Sequence, residues 1–291
     1  MPMPEPHLEP SVRATVNSGQ EGIMSSTTEK GTATIQGPLW DVRVDEWADI
    51  QERQTKPAFD AALDALGVGP GTRMLDVGCG AGLALRLAAD RGADVSGLDA
   101  SEGMLAHARR RVPGAPLVHG EIEELPFQDS SYDVVTGFNS FQYAARPANA
   151  LTEAARVVAP DGRVLLLLWA PADQCEAGAY LQGLGALMPP PPPGAPGPFA
   201  LSDEDALRAL FDVAGLDVLS IDDVCCEWTY PDQEVAVAGL ECAGPVVRVA
   251  AHAGWDAVHR VTTDFLEPYR TDDGGYKVVN TFRFVIGAPR N

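Results

Sequence analysis

The chain has 291 residues, with 41 Asp and Glu against 21 Lys and Arg and a formal charge of −20. That length suits one large α/β domain carrying an inserted cap. The negative field would repel a phosphate backbone and no Lys/Arg stripe offsets it, so nucleic acid is disfavoured, while the absence of an apolar run near 18 residues argues against a membrane span or membrane partner.

Residues 1–36 hold Pro2, Pro4, Pro6, Gly19, Ser25, Ser26, Thr27 and Thr28 and few large apolar side chains. They read as a disordered tail without the basic start and apolar core of a secretory signal. The domain proper is expected over 37–291, opening with a helical segment at 37–69. There Trp47, Ile50, Phe59, Ala62, Leu63 and Leu66 recur near the 3.6-residue period. Gly67, Gly69, Pro70 and Gly71 then break the chain.

Strands and helices alternate through a core at 70–170. Arg73 to Val77 reads as a strand, Ala81 to Arg91 as a helix, and Asp94 to Leu98 as the second strand. Ser101 is placed to cap a helix reaching Val112. Pro116 to Val118 and Tyr132 to Phe138 are the third and fourth strands. Ala148 to Val158 is helical and stops at the turn Pro160-Asp161-Gly162. Arg163 to Trp169 is a fifth strand, apolar enough to be buried on both faces.

Residues 171–200 break the rhythm with Pro189 to Pro193, Gly194, Pro196, Gly197 and Pro198, and are expected to form a helix-free loop, a candidate lid. In the C-terminal part, 201–291, Ser202 caps a helix ending near Gly215, and Leu216 to Ile221 is a strand. Cap helices span Pro231 to Tyr269, and Tyr276 to Ala288 is the last strand. The pattern predicts an α/β fold: a doubly wound, mostly parallel seven-stranded sheet with a helical cap before the last strand. Cys79, Cys175, Cys225, Cys226 and Cys242 form no C-x-x-C pair. They suggest neither a zinc or other metal site nor a disulfide framework, and fit the cytoplasm.

The chemistry concentrates in Leu75-Asp76-Val77-Gly78-Cys79-Gly80-Ala81-Gly82, where a strand runs into a glycine turn that opens a helix. Glycines there allow a sharp bend and close approach of a ligand. Dinucleotide enzymes use a related turn, but Leu83 stands where their fingerprint wants Gly or Ala. Asp76 just before the turn would repel a pyrophosphate and stabilise a cation. Asp99, ending the second strand, can accept from both hydroxyls of a ribose.

Leu75 to Gly82, together with Gly97-Leu98-Asp99-Ala100-Ser101-Glu102-Gly103-Met104-Leu105, resembles the first two motifs of class I S-adenosylmethionine-dependent methyltransferases. The small-molecule group with the ubiquinone/menaquinone methyltransferases is the most similar. Gly120-Glu121-Ile122-Glu123-Glu124-Leu125-Pro126-Phe127, Tyr132-Asp133-Val134-Val135 and Arg156 to Val164 extend the resemblance over residues 70 to 170, with Asp161 where a glycine is common. The resemblance implies S-adenosyl-L-methionine as cofactor. Gly78 and Gly80 would face its methionine part, with Asp76 nearby through water. Asp99 would bind the ribose, Ala100 and Met104 would lie along the adenine, Glu121 would face the adenine amino group and Ile122 the ring. Phe138 and Asn139 would border the methyl-donating end.

The reaction this implies is methyl transfer to a small organic metabolite in a biosynthetic role. The Asn/Asp-Pro-Pro-Tyr/Phe signature of many base- and amide-directed relatives is missing, which favours oxygen, carbon or sulfur acceptors, with O- or C-methylation expected ahead of N. Trp40, Phe141, Gln142, Tyr143 and Trp169 are the candidate acceptor pocket, with Trp47 and Trp228 as further candidates. His252 and His259, seven apart on one expected helix, are candidate bases, and His119 is a third. Three alternatives remain: a relative performing pericyclic-type chemistry without methylation, a non-catalytic sensor of small molecules, and, less favoured by Asp76 and Leu83, an NAD-linked oxidoreductase. A monomer or homodimer is expected.

Overall fold

The structure, a computed structural model, describes residues 31–190 and 199–290. Residues 1–30 of the expected tail and the proline run from 191 to 198 lie outside the described residues.

A seven-stranded sheet organises the chain in the order β3-β2-β1-β4-β5-β7-β6. The strands are β1 (Arg73–Val77), β2 (Asp94–Asp99), β3 (Leu117–His119), β4 (Tyr132–Phe138), β5 (Val158–Trp169), β6 (Leu216–Tyr230) and β7 (Tyr276–Pro289). The first five run parallel, and β7 pairs antiparallel with β5 and β6. Chain order reverses between β1 and β4, opening a crevice at their carboxyl ends, where such sheets bind ligands.

Alternation along the strands sorts the core into two faces. Met74, Val134, Leu165, Leu167, Phe282 and Phe284 pack with α3 (Lys56–Ala65), α4 (Leu83–Asp90) and α5 (Glu102–Arg111) through Phe59, Leu85 and Leu105. Leu75, Val77, Val135, Leu166, Leu168 and Val285 pack with α6 (Pro147–Val157) and α8 (Glu204–Val213) through Leu151, Val157, Leu207 and Phe211. A strand covered on both sides must be apolar at successive positions, which explains the leucine run of β5.

Other helices gather over the carboxyl ends. Residues 31–36 belong to this fold and not to a disordered tail: α1 (Ala33–Trp40) starts inside them. It is followed by α2 (Val44–Glu46), a π turn at Trp47–Gln51 and a 3-10 turn at Glu52–Thr55. The cap holds α9 (Gln233–Glu241), α10 (Gly244–Ala253) and α11 (Trp255–Leu266).

Several local expectations are corrected. Helix α7 (Ala177–Ala186) occupies the segment expected to be helix-free; Pro171 precedes it and the proline run begins only at Pro189, beyond its end, so neither bars it. The cap of α8 is Asp203, accepting the Ala206 N–H at 3.0 Å, whereas the Ser202 hydroxyl donates to the Phe199 carbonyl at 2.6 Å. Strand β6 runs to Tyr230, not Ile221, because β7 pairs along its whole length. Strand β5 begins at Val158, and its register with β4 jumps across Pro160-Asp161-Gly162.

Candidate active site

Three left-handed glycines shape the turn after β1: Gly78 (φ 75°), Gly80 (φ 53°) and Gly82 (φ 85°). Side chains are strained in that region, and a Cβ at Gly78 would also collide with Ser140. The turn is fastened to β2 by the N–H groups of Gly78 and Cys79, which donate to the Leu98 carbonyl at 2.7 and 3.0 Å.

Asp99 completes the fastening. One carboxylate oxygen accepts the Gly80 N–H and the other the Ser101 N–H, both at 2.8 Å. Removal from water raises its pKa, while the backbone N–H groups of Ser101, Gly80 and Ala100 pull it down. Asp99 faces a cavity whose open space, solvent at the mouth included, is about 1280 Å³.

The cavity brings together Gly78, Gly80, Asp99, Ala100, Met104, Glu121, Ile122, Phe138 and Asn139, nine of the ten residues expected to hold a cofactor. Asp76 is the exception. Its side chain turns into the sheet, 1 % exposed, and accepts from the Thr136 hydroxyl of β4 at 2.8 Å. Burial lifts its pKa to about 7; the Thr136 bond opposes this, and the charges of Asp99 and Glu52 add to it. Any effect of Asp76 on a ligand is a field from below the turn.

Glu52 escaped sequence reasoning. It sits 5 % exposed behind the turn, ion-paired to Arg111, and accepts the Leu83 N–H at 3.3 Å. Burial raises its pKa in spite of Arg111. A Cβ on Gly80 would come within 3.6 Å of its carboxylate and 3.7 Å of Trp47 Nε1. The signal, an acid among the apolar positions before the first strand, is too common to read unaided.

Helix α1 closes one side. Glu121 Oε2 accepts the Ala33 N–H at 2.8 Å, and the Thr32 hydroxyl donates to the Tyr143 carbonyl at 2.7 Å. At the other end Asp41 Oδ1 accepts from the Ser101 hydroxyl at 2.5 Å and the Gly103 N–H at 2.8 Å. Thr32, Ala33, Gln36 and Trp40 all line the cavity.

Of the expected acceptor pocket, Trp40, Tyr143 and Trp169 line the cavity, joined by Trp47 and Trp228. The indoles pack edge to face, Trp40 on Trp47 at 4.8 Å and Trp169 on Trp228 at 5.6 Å. Phe141 and Gln142 do not line it. Phe141 is 1 % exposed in the core, since the short 3-10 turn Phe141–Tyr143 points its ring inward. Gln142 instead donates to Asn139 Oδ1 at 3.4 Å. Tyr180, Leu240, Val246 and Phe282, from α7, the cap and β7, complete the wall and were not anticipated.

The candidate bases are corrected as well. His252 and His259 fall on different helices, because Gly254 (φ 86°) separates α10 from α11. Both are exposed and outside the cavity lining, and His259 pairs with Glu241 at 3.2 Å. His119 is exposed and hydrogen-bonded to the Ala100 carbonyl at 2.8 Å.

The donor set fits S-adenosylmethionine: a glycine cradle that a Cβ would fill, a pre-oriented carboxylate for ribose, and buried acids that favour a cation. Residues 75–166 match the family model described as a methyltransferase domain. The chain is similar to a demethylmenaquinone methyltransferase of Beutenbergia cavernae, 39 % identical over 127 residues, covering 42 % of this chain and 52 % of the relative. It is also similar to a malonyl-[acyl-carrier protein] O-methyltransferase of Methylococcus capsulatus, 34 % identical over 160 residues, covering 53 % of this chain and 58 % of the relative. The matched region thus spans about half the length of these curated relatives. Among solved structures, the cyclase SpnF superposes with a TM-score of 0.58 at 17 % identity, covering 88 % of this chain and 96 % of that one, a likeness of fold.

Proposed function

We propose that the protein, whose residues 75–166 match the methyltransferase-domain model, transfers the methyl group of S-adenosylmethionine to an oxygen or carbon of a small organic metabolite. The observation that carries this reading is Asp99, held by the Gly80 and Ser101 N–H groups at the edge of a cavity that continues into an aromatic chamber.

In this reading Gly78 and Gly80 cradle the methionine part, Asp99 takes the ribose hydroxyls, and Ala100, Met104, Glu121 and Ile122 surround the adenine. The bound cofactor supplies a methyl group on a cationic sulfur. Phe138 and Asn139 border the reacting carbon, and Trp40, Tyr143 and Trp169 hold the acceptor in line with it while excluding water. Alignment of this kind contributes effective molarities of roughly 10⁵–10⁸ M in well-oriented cases, so no strong base is required of the wall.

Titration with S-adenosylhomocysteine, beside an Asp99→Ala control, tests the site. Saturable binding that the control loses supports it, and no binding by folded protein sinks it. Release of S-adenosylhomocysteine together with product then separates methyl transfer from pericyclic-type chemistry and from sensing.

A further inference from the structure

The cavity has two electrically distinct halves. Its lining carboxylates, Asp99 and Glu121, stand at the glycine-turn end, with Asp76 and Glu52 buried behind. The other half is walled by Trp169, Trp228, Phe282, Tyr180, Leu181 and Val246. No Lys, Arg, His or Cys is among the described residues that line either half. A carboxylate or phosphate entering the aromatic half would lose its water, find no cation, and face carboxylates across the cavity. An ammonium group would face the sulfonium, with no acid of its own to pair with.

The polar handles of the aromatic half are neutral. Trp228 is 5 % exposed, and its indole N–H has no partner among the described residues. Asn139, just past the end of β4, holds φ at 54°, a left-handed value that Asn tolerates better than most side chains. Gln142 engages its Oδ1 at 3.4 Å, and its Nδ2 has no partner among the described residues. Tyr143 is no base at neutral pH, since burial pushes its pKa up to about 12; Tyr180 is raised still further by burial.

Resting on the methyl-transfer reading, we propose that the acceptor is an uncharged planar molecule whose own hydroxyl, a phenol or enol, is acidic enough to react without a protein base. The chamber excludes carboxylates, phosphates and ammonium groups. The acceptor oxygen bonds to the methyl carbon as the carbon–sulfur bond breaks, the electron pair stays on sulfur, and the hydroxyl proton leaves to water at the mouth. Asn139, in the cavity wall, orients that oxygen by donating to it.

The test is a binding comparison on the full chain, with naphthol, naphthoate and naphthylmethylammonium as isosteric probes that quench the lining tryptophans, the first two on the S-adenosylhomocysteine complex and the ammonium ion on the S-adenosylmethionine complex, which carries the sulfonium. Naphthol is expected to bind at least about tenfold tighter than either ion. Leu181→Lys, which sets a cation in the wall, is expected to raise naphthoate affinity about tenfold relative to naphthol. Equal or tighter binding of naphthoate or the ammonium ion by the unaltered chain overturns the inference, as does absence of naphthol binding while S-adenosylhomocysteine binds. Failure of S-adenosylhomocysteine itself to bind overturns the methyl-transfer reading, and this inference with it.

Discussion

Asp99 Oδ2 accepts the Gly80 N–H at 2.8 Å, so the carboxylate that faces the cavity also holds the glycine turn in shape. The proposed ribose contact and the local architecture therefore meet at one side chain, and two substitutions separate them. Asp99→Asn keeps one acceptor for the turn, whereas Asp99→Ala removes both. Charge-assisted hydrogen bonds contribute about 1.5–3 kcal/mol each. Calorimetric titration with S-adenosylhomocysteine should show a loss of roughly 10- to 100-fold for Asp99→Asn and a larger one for Asp99→Ala. Unchanged affinity in both would remove Asp99 from the site.

Asp76 titrates near neutrality when folded. Its pKa is about 7 against the ordinary aspartate value of 3.8, so near neutrality the folded protein holds a proton that the unfolded chain has released. Stability from this group is then full below pH 4, falls as pH rises toward 7, and is flat above, a change of up to about 4 kcal/mol. Thermal melts of Asp76→Asn should lose that decline and exceed the unaltered chain at pH 8. The same variant should weaken cationic S-adenosylmethionine more than neutral S-adenosylhomocysteine. A decline that persists would show that another group titrates.

Gly37 packs against the Ala100 carbonyl, where any Cβ would collide. Gly37→Val should lift α1 off the adenine side and lower affinity for S-adenosylhomocysteine about tenfold or more. The main unfolding transition should move little, because α1 contributes few side chains to the two core faces. Melting and titration of the same preparation read the two effects. Unaltered affinity would mean that α1 is a bystander.

Arg111 neutralises Glu52 behind the glycine turn. Arg111→Ala strands a carboxylate that is 5 % exposed, at a cost of about 3 kcal/mol. Arg111→Ala combined with Glu52→Gln should recover much of it, as denaturant unfolding would reveal. If the double variant is no more stable than the single one, the pair is not coupled.

His252 and His259 stand outside the cavity lining. Replacing each by Ala should leave kcat/KM within about twofold. The pH profile of the rate should show no histidine curve near pH 6.5. A large loss in either variant would restore a base that the geometry does not supply.

The order of elements and the residues at the glycine-turn end of the cavity were legible along the chain. Gly78, Gly80, Asp99, Ala100 and Met104 lie within one strand-turn-helix pair, where local propensity and the need for positive φ restrict the residue types. Asp76 misled because a strand gives each residue one face, and only the pairing of β1 with β4 showed that its face meets Thr136. The histidines misled because a single glycine, Gly254, breaks an otherwise helical pattern.

The sequence by itself determined the alternating strands and helices and the glycine turn, because short-range periodicity and backbone sterics dictate them. Only the tertiary structure decided what walls the aromatic half of the cavity. Trp40, Tyr180, Trp228 and Phe282 come from α1, α7, β6 and β7 and meet in one wall. Their meeting depends on the long β6–β7 pairing and on helices folding back over the strand ends. Contacts so distant along the chain leave no periodic trace in it.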